Sequence, residues 1–250
     1  MNQSLPPHPI LREHYATQRE RAAFVRSLFD RTAPQYDRAN SVFFLGTGAW
    51  YRQRALAAAG LRPGMRLLDV AVGTGWTADA ARRIQGTDAS IIGVDVSAGM
   101  LGIARRRLGI ALIQASAEAL PLTDMCVDFI TMGYALRHVS DLAVAFREFH
   151  RVLRPGGRVL VLEIGRPHGR LRLAGLRFYF KRVLPAVSGL VSPGTSLSAL
   201  MKYYWDTIET CVAPATILHQ LADSGFAEPT CATELGVFHA YQAHRPAQRS

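Results

Sequence analysis

Several kinds of protein are excluded by what this chain lacks. It has three cysteines in 250 residues, Cys126, Cys211 and Cys231. They lie far apart, show no metal-ligand spacing and offer no disulfide framework, so they read as reduced, small, buried side chains. No apolar run approaches the ~18 residues of a membrane span. Met1 to His14 contains no apolar segment of the kind a secretory signal needs. There is no internal repeat and no low-complexity tract. Lysine is almost absent, with two residues, so the net charge of +10 and pI near 10.1 rest on arginine. Aromatic residues are not interleaved with basic ones as in an RNA-binding motif, which argues against a nucleic-acid partner and against a noncatalytic RNA-binding module. The charge still favours anionic partners such as an acidic lipid surface or an acidic substrate. An arginine- and alanine-rich composition of genomic origin explains it equally well.

What is present describes a globular chain: 49% hydrophobic and 19% charged residues, long enough for one α/β domain. Met1 to Pro9 reads as a loose polar tail. Leu11 to Phe29 has apolar residues near helical spacing, and Pro34 is expected to end that helix. A second helix is expected to run on from Ser41–Arg54 through Ala59. From Leu67 onward the pattern alternates strand and helix, as in a parallel sheet. Strands are expected at 67–72, 90–95, 110–114, 127–133 and 158–164, and helices at 77–85, 98–108 and 142–153. Pro155-Gly156-Gly157 reads as a turn before the fifth strand. Helical stretches near 206–208 and 214–224 precede two short β-rich runs, 227–234 and 236–242, spaced as an antiparallel pair.

The organising stretch is Leu67 to Trp76. A near-continuous apolar run leads into Gly73-Thr74-Gly75, which lets the backbone turn sharply and approach a ligand closely. The turn opens onto a helix N-terminus, where an anionic or hydrogen-bonding group is received. Asp95 ends the next apolar run, twenty residues beyond Gly75, the spacing at which an acid meets a ribose diol. The same glycines, with Ala78, also fit a dinucleotide fingerprint. A nicotinamide-nucleotide oxidoreductase therefore stands as an alternative on the motif alone.

Phe29 to Asn40, with Tyr36-Asp37 at its centre, resembles the ubiquinone/menaquinone C-methyltransferases of the UbiE type. The likeness continues through Trp50-Tyr51-Arg52, Leu68 to Gly75, Asp95 to Leu101, Ala117 to Leu122, Leu136-Arg137-His138-Val139 and Arg151 to Pro167. It also takes in Val183-Leu184-Pro185 and Ser224-Gly225-Phe226. It implies a class I S-adenosylmethionine (SAM) methyltransferase, Rossmann-like fold: α/β, a seven-stranded mostly parallel sheet, a C-terminal antiparallel hairpin and an N-terminal helical cap. Residues 1–60 would form the tail and cap, and 61–243 the methyltransferase domain, with a substrate-cap insertion at about 166–213. SAM is the implied cofactor and no metal is required. Gly73 and Gly75 would face its methionine part, Asp95 its ribose, Met100 its adenine face, and Ser116 and Ala117 the adenine edge. Asp69, Thr74 and Val96 complete the implied donor set. No second mononucleotide half follows Asp95, which weakens the oxidoreductase alternative.

The resemblance further implies methyl transfer to a hydroxylated aromatic acceptor, foremost C-methylation of a lipidic quinol. A phenolic or heterocyclic specialised metabolite is the alternative, because Met201 to Glu209 departs from the family where its substrate pocket is built. Trp76 replaces the usual acid after the glycine turn. Ser116 stands where Asp or Asn is common, and His138 where the family has Asn. His138, with an unperturbed pKa near ~6.5, suits a general base, or it replaces that Asn as a hydrogen-bonding group. Arg137 suits a cation that stabilises a phenolate, or it pairs with Asp141. Tyr36 and Asp37 close over the site, or serve as packing and as a cap. Tyr203-Tyr204-Trp205 reads as core or as an aromatic recognition surface. Arg166 to Arg182 combines six basic residues with Leu, Phe and Tyr. That mix suits weak association with an anionic membrane surface, or a packed helix with a solvated arginine face. The expected location is cytoplasmic, with a peripheral position on the inner membrane face left open, as is an oligomer.

Overall fold

A computed structural model describes residues 4–43, 48–167, 169–183 and 197–247. His168, Leu184, Pro185 and part of the expected 166–213 insertion lie outside the described residues. The chain alternates as expected: β1 (Arg66–Val70), β2 (Ser90–Asp95), β3 (Ala111–Gln114), β4 (Val127–Gly133), β5 (Leu153–Ile164), β6 (Ala227–Glu234) and β7 (Phe238–His244). They form one sheet of order β3-β2-β1-β4-β5-β7-β6, in which β7 pairs antiparallel with both β5 and β6. Helices α1 (Gln18–Phe43), α2 (Gly48–Ala58), α3 (Trp76–Gln85), α4 (Ala98–Arg107), α5 (Leu142–Val152), α6 (Arg170–Phe178), α7 (Leu197–Thr210) and α8 (Pro214–Asp223) surround it.

Successive strand residues point to opposite faces, and both faces are covered. Leu67, Phe129 and Leu160 enter one core, with Leu56 of α2 and Ala81 of α3. Leu68, Ile130 and Val161 enter the other, with Phe146 of α5 and Leu221 of α8. The central strands therefore read as continuous apolar runs. The strand order reverses between β1 and β4, and the carboxyl ends of those strands frame the crevice where open α/β sheets bind ligands.

Three expectations are corrected. Pro34 does not end the first helix: α1 runs through it to Phe43. A helix-interior proline costs ~3 kcal/mol in isolation; here tertiary contacts at the preceding turn offset it. Asp30 accepts hydrogen bonds from the Ser97 hydroxyl at 2.6 Å and the Gly99 N–H at 3.0 Å, which fastens α1 to the start of α4. A Cβ at Gly99 would lie 3.0 Å from the Asp30 carbonyl, so glycine permits this approach.

Within the expected Met1–Pro9 tail, the described residues from Ser4 onward are not loose. Leu5 O accepts the Leu142 N–H and Pro7 O the Val212 N–H, at 2.9 and 2.8 Å. His8 is buried against the Arg21 guanidinium, 2.8 Å away. The expected turn at Pro155-Gly156-Gly157 lies within β5 as a bulge: Leu153 pairs with Val127 and Arg158 with Phe129, so four residues loop out opposite Asp128.

Candidate active site

A cleft of about 820 Å³, part of it open to solvent, lies over the carboxyl ends of β1, β2 and β4. One end is built from the glycine turn and the start of α4. Gly73 adopts φ +56°, and a Cβ there would find only the Ala71 carbonyl within 4.0 Å, so bare backbone faces the cleft. Asp95 closes this end. Its carboxylate accepts the Gly73 N–H and the Ser97 N–H, each at 2.8 Å, which leaves lone pairs for a ligand. Burial pushes its pKa up to about 6, against the pull of those two N–H groups. Val96, Met100, Ala115 and Ala117 form an apolar slot beside it, and Ser116 borders the slot. A carboxylate with spare acceptor capacity and an apolar slot fit the adenosyl part of SAM, and the half-buried glycine backbone fits its methionine end.

The other end is aromatic. Phe29, Tyr36, His138 and Tyr204 line it. The His138 ring stacks on Tyr203 and Tyr204, with centroids 5.3 and 5.6 Å away, and meets Phe29 edge-on at 5.2 Å. Its Nδ1 lies 3.2 Å from the Tyr203 hydroxyl, while Nε2 is buried with no partner among the described residues. Burial, and then the Arg137, His8 and Arg21 charges, hold its pKa well below 6.5. The expectation of an imidazole at its ordinary pKa is thus corrected: His138 is neutral at physiological pH. The Tyr204 hydroxyl donates to Tyr36 at 3.1 Å, and burial raises the pKa of both phenols.

Asp37, Asp69, Thr74, Gly75 and Arg137 do not line the cleft. Gly75 turns toward α4, where a Cβ would lie 2.6 Å from Leu108 Cδ1. Asp69 is fully buried in β1, and burial pushes its carboxyl up to about 8 despite the Ala78 N–H and Arg52. Thr74 and the Trp76 indole both donate to Asp37 Oδ1, at 2.6 and 2.9 Å. Arg107 donates to Asp37 Oδ2 at 2.5 Å and to Thr74 O at 2.9 Å, with its guanidinium 4.2 Å above the Trp76 ring. An acid is therefore present at the turn after all. It comes from α1, and the tryptophan that replaced the usual one holds it.

Arg137 pairs with Glu163 rather than Asp141. It also donates to Thr207 at 3.2 Å and lies 4.8 Å over the Tyr204 ring. Asp141 instead caps α5 through the Ala143 and Val144 N–H groups. The Tyr203-Tyr204-Trp205 cluster divides: Tyr203 and Trp205 are buried, while Tyr204 faces the cleft.

The sequence profile of the ubiE/COQ5 methyltransferase family matches residues 15–235. The chain belongs to that family. A ubiquinone/menaquinone biosynthesis C-methyltransferase UbiE of Syntrophotalea carbinolica is 40% identical over 209 residues, covering 80% of this methyltransferase and 85% of the relative. A demethylmenaquinone methyltransferase of Symbiobacterium thermophilum is 33% identical over 234 residues, 89% of each chain. Among solved structures, a possible histamine N-methyltransferase of Thermotoga maritima superposes with TM-score 0.62 at 21% identity, covering 88% of this chain and 99% of that one. The phosphoethanolamine N-methyltransferase 2 of Haemonchus contortus, in complex with SAM, gives 0.65 at 18%, covering 89% and 60%. At those identities they attest the fold. The methyltransferase uses SAM, and the nicotinamide alternative falls with the family assignment and with the antiparallel hairpin that stands where a second nucleotide-binding half would continue.

Some cleft residues carried no clear sequence signal. Ala71 and Tyr134 line the methyltransferase cleft at φ +54° and +62°, a region L-residues rarely adopt. Glu118 ties Ser116 to the loop after β4 by accepting its hydroxyl and the Asp141 N–H, at 3.0 and 2.8 Å. It lies in the family-like segment Ala117 to Leu122, but nothing there pointed to this bridging role.

Proposed function

We propose that this methyltransferase transfers a methyl group to a ring carbon of a lipidic quinol. The observation that carries the reading is the continuity of the cleft, from Asp95 and Met100 at one end to the His138, Tyr36 and Tyr204 cage at the other. SAM supplies an electrophilic methyl carbon on a sulfonium. The protein has to hold the acceptor in line behind that carbon and keep water out. Asp95 holds the ribose hydroxyls, Val96, Met100, Ser116 and Ala117 the adenine, and Gly73 the amino-acid end.

At the acceptor end, the aromatic walls clasp a flat ring. With Nδ1–H donated to the Tyr203 hydroxyl oxygen, His138 Nε2 accepts the hydrogen bond of a ring hydroxyl and raises electron density at the ring carbon ortho to it. That carbon takes the methyl group, and the proton it displaces leaves to solvent as the ring regains aromaticity. The depressed pKa of His138 suits an orienting acceptor better than a proton store. Tyr36 offers a second hydroxyl contact. Arg137 acts from behind the wall, fixing Tyr204 and adding positive potential that favours a phenolate. Asp37, Thr74 and Gly75 hold the glycine turn in shape, and Asp69 is a buried neutral group beneath it. Residues 1–60 serve as the cap of a 61–243 catalytic domain, and 166–213 as its acceptor-side insertion. A lipid tail requires surface access, so the reading includes weak, peripheral association with the anionic inner face of the membrane from the cytoplasm. Among the described residues no helix is long and apolar enough to cross a membrane.

The test is incubation with SAM and a reduced, short-chain demethylated quinol. The expected product carries one added carbon-bound methyl group, by mass and NMR. Methylation confined to a hydroxyl or nitrogen, or turnover of simple phenols and heterocycles with quinols ignored, refutes the reading in favour of the specialised-metabolite alternative.

A further inference from the structure

We propose that α2, the β6–β7 turn and α6 form one continuous face that docks on an anionic lipid bilayer. This rests on the lipidic-acceptor reading and names the surface that would serve it.

The turn provides the first observation. Val237 N–H donates to Glu234 O, and the central residues Leu235 and Gly236 have φ +52° and +72°. Such turns favour Asn-Gly, because both central residues are left-handed. Here a leucine occupies the first position and is 85% exposed. Neither backbone preference nor burial accounts for it. A strained residue that presents an apolar side chain to solvent points to a partner that receives it.

The flanking elements supply the second. In α6, Leu171 is 90% and Phe178 64% exposed, and no residue of the helix is buried. Seven positions apart, they share one side of the helix. In α2, Trp50 is 60% exposed, with the Arg54 guanidinium 5.4 Å from its ring. The three elements are stitched together. Arg54 lies 3.9 Å from Glu234, and a Cβ at Gly236 would come within 3.2 Å of Arg172 Nη1.

Charge selects the partner. The apolar tips are interspersed with Arg54, Arg170, Arg172 and Arg177, and Lys181 and Arg182 follow in sequence. Among the described residues Glu234 pairs with Arg54 and Glu209 with Arg177, and Glu13 lies near enough to Lys181 to feel its charge, so the set of six cations stays in excess over three acids. Tryptophan at headgroup depth, inserted aliphatic tips and arginines on lipid phosphates suit an anionic interface. A second copy of this equally basic chain would be repelled. From α6 the chain continues into a π-helical turn (Tyr179–Val183), whose Phe180 packs 5.7 Å from Trp205 on α7, the helix that carries Tyr204 into the cleft. The docking face and the acceptor wall thus share a support.

The whole chain is tested by co-sedimentation with vesicles of phosphatidylcholine alone or with phosphatidylglycerol, at low and high salt. Binding to the anionic vesicles, release by salt and a blue shift of tryptophan emission that disappears in Trp50→Phe are expected. Leu235→Asn, which suits the turn better, is expected to weaken binding roughly tenfold with an unchanged or higher melting temperature. Equal binding to neutral vesicles, unaltered binding of Leu235→Asn together with no Trp50 emission shift, or self-association abolished by Leu235→Asn without vesicle binding each overturn the proposal. Wild type that methylates a water-soluble quinol but ignores vesicles overturns the docking face alone. Vesicle binding through Leu235 without any quinol turnover overturns the acceptor reading and leaves the docking face standing.

Discussion

Nδ1 of His138 lies 3.2 Å from the Tyr203 hydroxyl, the one protein hydrogen bond described for an imidazole buried among aromatic rings. Because its pKa sits well below 6.5, the ring is neutral at working pH and acts through its unpaired Nε2. His138→Asn, which keeps a hydrogen-bonding group, should retain turnover within about tenfold. His138→Ala should lose roughly a hundredfold. NMR of the imidazole should show no titration near pH 6.5; a midpoint there would return the residue to the role of an ordinary base.

Asp69 gives a pH signature in stability. Its folded pKa, about 8, lies above the ordinary value of 3.8. Between those values the unfolded chain has released a proton that the folded chain keeps. Folding is therefore progressively disfavoured as pH rises through that window, by at most ~1.4 kcal/mol per pH unit, and the effect levels off above the folded pKa. In urea titrations the stability of Asp69→Asn relative to wild type should climb from pH 5 to 8 and then stay flat. A pH-independent difference would show that Asp69 is ionised in the folded protein.

Arg137 and Glu163 form a buried pair. Arg137→Met leaves the carboxylate unmatched and should cost about 3–5 kcal/mol. Removing both charges with Arg137→Met and Glu163→Leu should recover much of that loss. The double-mutant cycle in chemical denaturation measures the coupling.

Asp37 holds the glycine turn through Thr74, Trp76 and Arg107. Asp37→Ala should weaken S-adenosylhomocysteine binding about tenfold, or ~1.4 kcal/mol, by calorimetry. The melting temperature should change less. Unchanged affinity would make the cluster purely a helix anchor.

Gly99 allows α1 to rest on α4. Gly99→Ala places a methyl 3.0 Å from Asp30 O and 3.2 Å from Ala33 Cβ. Thermal unfolding should show a loss of about 1–3 kcal/mol, the usual cost of overpacking.

The sheet was legible in the sequence because its strands are covered on both faces, so Leu67 to Val70, interrupted only by Asp69, and Val159 to Leu162 read as apolar runs whatever surrounds them. Asp95 was legible because its distance from the glycine turn is set by one strand–helix–strand unit. The path of α1 through Pro34 was not. Local chemistry says the helix should stop, and contacts from Asp30 to Ser97 and Gly99, across 67 and 69 residues, let it continue. The state of His138 was equally hidden. Its ring contacts come from Phe29, Tyr203 and Tyr204 and its charged neighbours from His8, Arg21 and Arg137, all brought together only by folding. Trp76 looked like a lost contact because its partner, Asp37, is 39 residues away.

The clasp of Leu5 on Leu142 and of Pro7 on Val212 also bears on synthesis. Pro7 finds its partner Val212 only after about two hundred further residues have emerged. That contact therefore closes late in translation, after strands β1 to β4 have had time to fold.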